Sequence, residues 1–414
     1  MHTAQKKLSN IFYIILGLPA TAMGFGLSIQ IMVLSWILRT KYGLDIHEIG
    51  IVWAAGPIAG ILGQPIVGLI SDKVWFLGGR RRPFIIVGGI LTALAILALT
   101  SIDTINTTLG IGSLLAVAIT VALTLDLAIN ISFNPTRAII ADVTPEGQAR
   151  TKGYTWMQSV SNLFGSLAYL TGALLDNYVL IYVGVVVILL FSIIPLFYIE
   201  EPRELIKEDK EDNSKTQTNW VELFKIYFAH GFSWLGIQTM FIYLFAFLEQ
   251  RLTVVDDNLL GSIQGWAFFI LNAVGAFLPI LLLQPFTKKI GQVRTQQISV
   301  FTMSLAYFAI ALFADTAIML YIFFIILSIG WSAVVSLPFA IMSENVDKQR
   351  MGFFMGIFNL SVVIPQLLAS FVIGYFVQSY IKTNAGIAFI ISGTALFLSA
   401  ALWGFVKEPK TSKS

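Results

Sequence analysis

Apolar residues run through this chain in long, nearly uninterrupted stretches, and the short polar breaks between them carry almost all of the charge. On that pattern spans fall at 10–38, 49–70, 83–100, 111–140, 153–175, 179–199, 222–250, 260–284, 295–313, 316–342, 352–378 and 384–405. A bilayer-crossing helix needs roughly 20 mostly apolar residues, because nothing in the hydrocarbon can satisfy the backbone's donors and acceptors. Composition agrees: 57% of the 414 residues are hydrophobic and 12% are charged, against about 25% charged in an average soluble domain. The pattern predicts an all-α membrane protein with twelve transmembrane helices.

The polar breaks set the organisation. The longest, Glu200 to Asn219, holds Pro202 and dense mixed charge and reads as a solvated linker. It predicts three parts: a six-helix bundle over 1–200, a cytoplasmic linker over 201–219 and a second six-helix bundle over 220–414. With both termini inside, about 21 of the 26 Lys and Arg fall on the cytoplasmic side, which fits the positive-inside rule. Lys6 and Lys7 precede the first span, which is longer than a signal-peptide core and has no small-residue cleavage site after it, so it is expected to remain as a helix. The net charge of +3 sits in the loops and does not indicate nucleic-acid binding. With no cysteine and three histidines, His2, His47 and His230, neither thiol chemistry, a metal site, a cofactor nor a convergent catalytic cluster is expected.

The two halves echo one another. The fourth span ends Pro135-Thr-Arg-Ala138-Ile-Ile-Ala-Asp142, with Arg150 and Gly153 opening the next; the tenth ends Pro338-Phe-Ala340-Ile-Met-Ser-Glu344, with Arg350 and Gly352 following. An even number of spans per half makes the repeats parallel, an arrangement used by alternating-access carriers.

Charge inside the membrane is the next signal. Asp126 lies near the middle of the fourth span and Arg137 eleven residues on, about 16 Å along a helix and within about 20° of the same azimuth. Such residues face a cavity and serve function more often than not. Asp126 is the candidate proton carrier or sugar-hydroxyl acceptor, with Arg137 tuning it or contacting substrate; the alternative is a structural role for both, bridging to neighbouring helices. Glu249, near the outer end of the seventh span, is a second candidate carboxylate or an interfacial residue, and His230 is expected to be a hydrogen-bonded packing residue, with proton relay as the less favoured role. Gln30, Gln64, Asn130, Asn162, Gln238 and Asn359 lie at membrane depth beside Trp156, Trp234, Trp266 and Trp331. Paired donors and acceptors beside aromatic faces suit a neutral polyhydroxylated ligand, although amides also bind membrane helices together. Arg80, Arg81 and Arg82, just inside the membrane, can bind Asp72 or Asp142; with Glu344 and Arg350 in the second half they form a candidate cytoplasmic gate.

Several of these segments resemble the sucrose–proton symporters of the major facilitator superfamily, near the glycoside–pentoside–hexuronide cation symporters. Gly56-Pro57-Ile58-Ala59-Gly60, Gln64-Pro65, Ser71-Asp72-Lys73 and Gly79-Arg80-Arg81-Arg82-Pro83 are similar to the second and third helices of that family. Asp126-Leu127-Ala128 with Pro135, Arg137 and Asp142 is similar to its fourth, and Leu337-Pro338-Phe339-Ala340, Met355 to Leu360 and Val363 to Gln366 to its tenth and eleventh. The resemblance implies the major facilitator fold, and Asp126 and Arg137 as the residues of proton coupling and sugar transport. The chain departs from the family in the seventh helix, which lacks an aspartate and offers only Glu249, and in the first outer loop, where His47 is one position out of register.

The expected protein is therefore a multi-pass transporter of the cell membrane, functional as a monomer, importing a neutral glycoside such as sucrose or maltose with a proton. Sodium as the coupling ion is the less favoured choice. A proton-driven exporter of sugars or drugs and a membrane sugar sensor remain as alternatives.

Overall fold

The computed structural model describes residues 8–71, 75–76, 78–145, 148–202, 218–252, 256–346, 351–373, 375, 380 and 384–408. It divides into two compact units, Met1–Asp209 and Lys210–Ser414. Apart from a single isolated bridge between Phe76 and Gly79, the described residues form helices and their connections.

In the first unit, α1 (Asn10–Thr40) starts at Ser9, whose side chain accepts from the Phe12 amide. α2 consists of Ile46–Trp53 and Ala55–Ser71, and a reciprocal Asp45/Glu48 capping box opens it. α3 consists of Arg82–Ala98, a tight turn at Leu99–Ser101 and Ile102–Leu109. It runs nine residues beyond its predicted end at 100. The Thr107 hydroxyl bonds to the Asp103 carbonyl, and Gly110, at φ 62°, ends the helix in the left-handed conformation open to glycine. α4 (Leu114–Val143), capped by Ser113, continues through Pro135. α5 (Gln148–Leu174) and α6 (Asn177–Ile193) complete the unit, and Ile194–Phe197 turns the chain away at Pro195. α1 packs on α5 and α6, and α3 on α4 and α6. One cluster joins most of these helices at one end: Phe12 and Leu16 of α1, Ile85 of α3, Ile139 and Ile140 of α4, Met157 of α5, and Leu196 and Ile199 after α6.

In the second unit, α7 (Trp220–Arg251) is buried over 83% of its apolar window, more than any other candidate span, so the unit is built around it. α8 (Asp257–Leu278) continues through a wide turn at Pro279–Leu283 into Gln284–Ile290. α9 (Gln292–Phe313) follows Gly291. The predicted span 316–342 is α10, and it is broken into Ala317–Val334 and Leu337–Ser343. Pro338 has no N–H for the Val334 carbonyl and its ring crowds that carbonyl; the Ser336 hydroxyl bonds to the Ser332 carbonyl at 2.6 Å. α11 (Met351–Leu367) widens at Leu368–Ile373, and α12 (Gly386–Trp403) ends the fold.

The helices thus group into twelve segments. Among the described residues nine helices are long and apolar enough to cross a membrane, with shorter apolar helices at Ile46–Ile61 and Ile357–Ile373. α5 is not among them because its first half is polar from Gln148 to Asn162.

Backbone proximity supports the α3–α4 contact. A Cβ on Gly88 would lie 2.1 Å from the Ser132 Oγ and 2.8 Å from the Ala128 carbonyl oxygen, and that hydroxyl donates to the Phe84 carbonyl at 3.0 Å. Gly88→Val is therefore expected to cost about 1–3 kcal/mol through overpacking. It should lower the melting temperature of the detergent-solubilised protein; an unchanged melting curve would refute this contact.

Candidate functional site

The chemistry of the first unit centres on α4. Asp126 is 5% exposed, and its Oδ2 accepts a hydrogen bond from the Gln30 amide of α1 at 2.9 Å. On the α2 side, a Cβ added at Gly56 would come within 3.2 Å of the Asp126 Oδ1, so the absent side chain leaves the carboxylate its room. The Asn130 amide, one turn on, donates to the Asp126 backbone carbonyl at 2.8 Å. Among the described residues no cation lies within ion-pair distance of Asp126. The carboxylate is thus held by a neutral donor and can exchange a proton without breaking an ion pair.

Arg137 lies on the same α4 stripe. It is exposed, its guanidinium sits 4.0 Å from the centroid of the Phe133 ring, and its backbone carbonyl accepts from the Tyr154 hydroxyl. Among the described residues it pairs with no carboxylate, Asp126 included. Asn162 stands apart from this group: it is exposed on α5 and accepts from Gln158 at 2.8 Å. The side chain of Gln64 lies outside the described residues, as do Asp72 and Arg350 entirely.

The second unit offers amides and aromatic faces. Gln238 of α7, buried, accepts from Gln366 of α11 at 3.2 Å. His230 is 2% exposed; its Nε2 accepts the indole N–H of Trp234 at 2.9 Å and its ring stacks on Phe358 with centroids 4.7 Å apart. Because Nε2 is an acceptor, the imidazole carries its proton on Nδ1, which has no hydrogen-bond partner among the described residues. Trp234 meets Trp331 of α10 edge-on at 6.2 Å, and Trp331 meets Phe241 at 5.9 Å. Asn359 is partly exposed beside Phe358, and Glu249 is partly exposed near the end of α7.

The arginine triplet at the head of α3 is organised by a residue placed in the linker by the sequence reading. Glu201 is 9% exposed; its carboxylate accepts from the backbone N–H groups of Arg80 at 2.8 Å, Arg81 at 2.9 Å and Arg82 at 3.0 Å. These are orphan donors at the helix start, where Pro83 adds none, and a carboxylate there also complements the helix dipole. The description of 200–219 as solvated is thus corrected at Glu201: three buried amides needed an acceptor. The side chains then point elsewhere. The Arg81 Nε pairs with the Asp142 carboxylate of α4 at 3.0 Å, both side chains 9% exposed, and Arg82 bonds the Leu196 and Ile199 carbonyls.

The second unit repeats the device. Glu408, after α12, accepts from the Gln292 and Val293 amides at the head of α9, the latter at 3.0 Å. Gly79 and Gly291 leave room for the two carboxylates, since a Cβ at either would lie within 3 Å of them. Glu344, at the position matching Asp142, is exposed and accepts from the Gln292 side chain at 3.0 Å. The sequence held a signal for this pair: Glu201-Pro202 and Glu408-Pro409 recur at an offset of 207, close to the 199 to 203 of the other echoes.

With this geometry in place, the comparisons with known proteins agree. The family model described as Major Facilitator Superfamily matches residues 16–370, and the chain belongs to that family. It is a multi-pass membrane transporter, not an enzyme. Sucrose transport protein SUT2 of Oryza sativa subsp. indica is 23% identical over 457 residues, covering 92% of this chain and 89% of its own. Sucrose transport protein SUC4 of Arabidopsis thaliana is 23% identical, covering 88% and 84%. Among solved structures, a D-xylose-proton symporter superposes with a TM-score of 0.72 at 15% identity over 97% of this chain and 99% of that one. The nucleoside transporter NupG does so at 0.71 and 13%, over 95% and 98%.

Removing the Glu201 carboxylate leaves three amides without acceptors. Glu201→Ala is expected to destabilise the start of α3 by about 2–3 kcal/mol. Hydrogen–deuterium exchange over residues 80–86 should speed up accordingly, while exchange in α9 stays as it was. Unchanged exchange at the α3 start would refute the capping role.

Proposed function

We propose that the protein is a proton-coupled sugar symporter that imports a neutral glycoside, a disaccharide such as sucrose or maltose, across the cell membrane. It works by alternating access, as a monomer, with both termini in the cytoplasm. The observation that carries this reading is the buried Asp126 on α4, held by the Gln30 amide with no counter-cation among the described residues. Gain or loss of a proton there changes the net charge of the site outright. Gln30 turns its N–H₂ toward the carboxylate, which suits a proton better than a sodium ion, since a hard cation needs several converging oxygens.

The cycle runs in four steps. With the site open to the outside, Asp126 takes a proton and the sugar binds. In the first unit the amides Gln30 and Asn130, and in the second Gln238 and Asn359 with the flat faces of Trp234 and Trp331, are each suited to sugar hydroxyls and rings. The inner contacts around Arg81–Asp142 and Glu201 then loosen, and those around Gln292, Glu344 and Glu408 loosen with them. Release of sugar and proton to the cytoplasm resets the carrier. Arg137, exposed on the same stripe of α4, offers a fixed positive charge along this route. One proton moving through the membrane potential is worth about 2.3 kcal/mol per 100 mV, enough for roughly 50-fold accumulation. The sucrose transport proteins among the relatives support the substrate class.

The test is sugar uptake into proteoliposomes under an imposed pH gradient. The wild type should accumulate one glycoside in a manner abolished by a protonophore and indifferent to sodium. Asp126→Asn should lose uphill, pH-dependent uptake while keeping sugar exchange down a gradient. Uphill uptake that survives in this variant would sink the coupling assignment.

A further inference from the structure

We propose that the cleft between α9 and α12 is a binding site for an anionic phospholipid, with an acyl chain in the cleft and the headgroup phosphate at Arg294. The site lies in the second unit alone and does not rest on the sugar chemistry above.

The two helices come together closely at both ends of the cleft. Towards one end the Ser304 hydroxyl donates to the Gly393 carbonyl at 2.7 Å; towards the other, the Gln297 amide donates to the Ala400 carbonyl at 3.0 Å and a Cβ on Gly404 would lie 2.9 Å from the Gln297 Nε2. Between these contacts Ala400 and Ala401 are too small to fill the space, leaving a groove of about 330 Å³ lined by Gln297, Ile298, Phe301, Phe397, Ala400 and Ala401. Phe301 and Phe397, with ring centroids 6.1 Å apart, form one wall.

The outward face of this pair is apolar. Ile298 and Phe397 are each 49% exposed, Phe301 40% and Leu305 51%. Such a face on membrane-spanning helices meets hydrocarbon, so the occupant is a lipid chain.

Charge selects the headgroup. Arg294, Gln297, Ile298 and Phe301 stand at i, i+3, i+4 and i+7 and so share one stripe of α9. Arg294 is exposed one turn beyond the groove, and among the described residues no carboxylate lies within ion-pair distance of it. Lys288 and Lys289, exposed just before α9, and Lys407, exposed after α12, add positive charge at the same end. The carboxylates there are engaged: Glu408 with the Gln292 and Val293 amides, Glu344 with the Gln292 side chain, and Glu222 with Lys225 and the Lys407 amide. A guanidinium free of carboxylates at the mouth of an acyl-chain groove matches a phosphate with net negative charge.

The experiment is native mass spectrometry of the purified full chain titrated with equal amounts of dioleoyl-phosphatidylglycerol and dioleoyl-phosphatidylcholine. The wild type should retain one phosphatidylglycerol in preference to phosphatidylcholine. R294Q should weaken that adduct about fivefold, the effect of one basic residue near an anionic lipid. A401F, which fills the groove and keeps Arg294, should lose the adduct; size-exclusion profiles of both variants establish that they are folded. R294Q tests the headgroup contact without touching the α9–α12 packing. Equal retention of the two lipids by the wild type, or full retention by folded R294Q, would overturn the proposal. A wild-type dimer that A401F converts to monomer, with no lipid adduct, would overturn it in favour of a second copy of the chain.

Discussion

A helix in hydrocarbon satisfies its own middle and leaves its ends exposed, so the decisive polar interactions in this protein are the ones that finish helices. Each unit closes its third helix with a carboxylate from beyond its sixth: Glu201 on the Arg80–Arg82 amides, Glu408 on the Gln292 and Val293 amides. A contact spanning about 120 residues of chain in each case pins the last helix of the unit to the third. The apolar clusters build on that join. Leu196 and Ile199 pack with Ile85, Ile139 and Ile140 in the first unit, as Trp403 and Val406 pack with Val293, Ile341 and Met342 in the second. The Arg81–Asp142 pair follows from the same geometry, since fixing the backbone of the arginine run aims its side chains at the ends of α4 and α6.

The units share a framework and differ in their interior chemistry. The first buries a carboxylate with a neutral amide partner on α4. At the heart of the second, α7 carries His230, Trp234 and Gln238, which meet aromatic rings and an amide from α10 and α11. The first unit thus offers a carboxylate that can change its charge with protonation, and the second a neutral surface of rings and amides. His230 fits the packing role expected of it: its ring lies against Phe358 and its acceptor nitrogen holds the Trp234 indole in one orientation.

Much of this was legible in the chain itself. Hydropathy located the twelve helical segments seen among the described residues, because burial in lipid demands long apolar runs; Asp126 in such a run marked a candidate site, because charge there is costly without purpose. The ends were less legible. α3 runs on to Leu109 because Thr107 and Gly110 support a helix in water, where hydropathy carries no signal. α10 breaks at Val335 and Ser336 because Pro338 disrupts the backbone ladder inside an otherwise unbroken apolar run. Glu201 looked like part of a charged linker, since composition records what surrounds a residue in sequence and not which amides it meets in space.

The sequence by itself therefore determined the medium, the all-helical architecture, the two-fold repeat and the identity of the buried carboxylate. These depend on free energies of transfer that each segment carries alone. Tertiary structure decided the partners. That Gln30 holds Asp126, that Arg81 meets Asp142 while its amide meets Glu201, and that Ala400 and Ala401 leave a cleft beside α9 are all matters of distance between helices remote in the chain. Hydrogen bonds and close packing act over a few ångströms, so only the folded arrangement of those helices selects which groups come within reach.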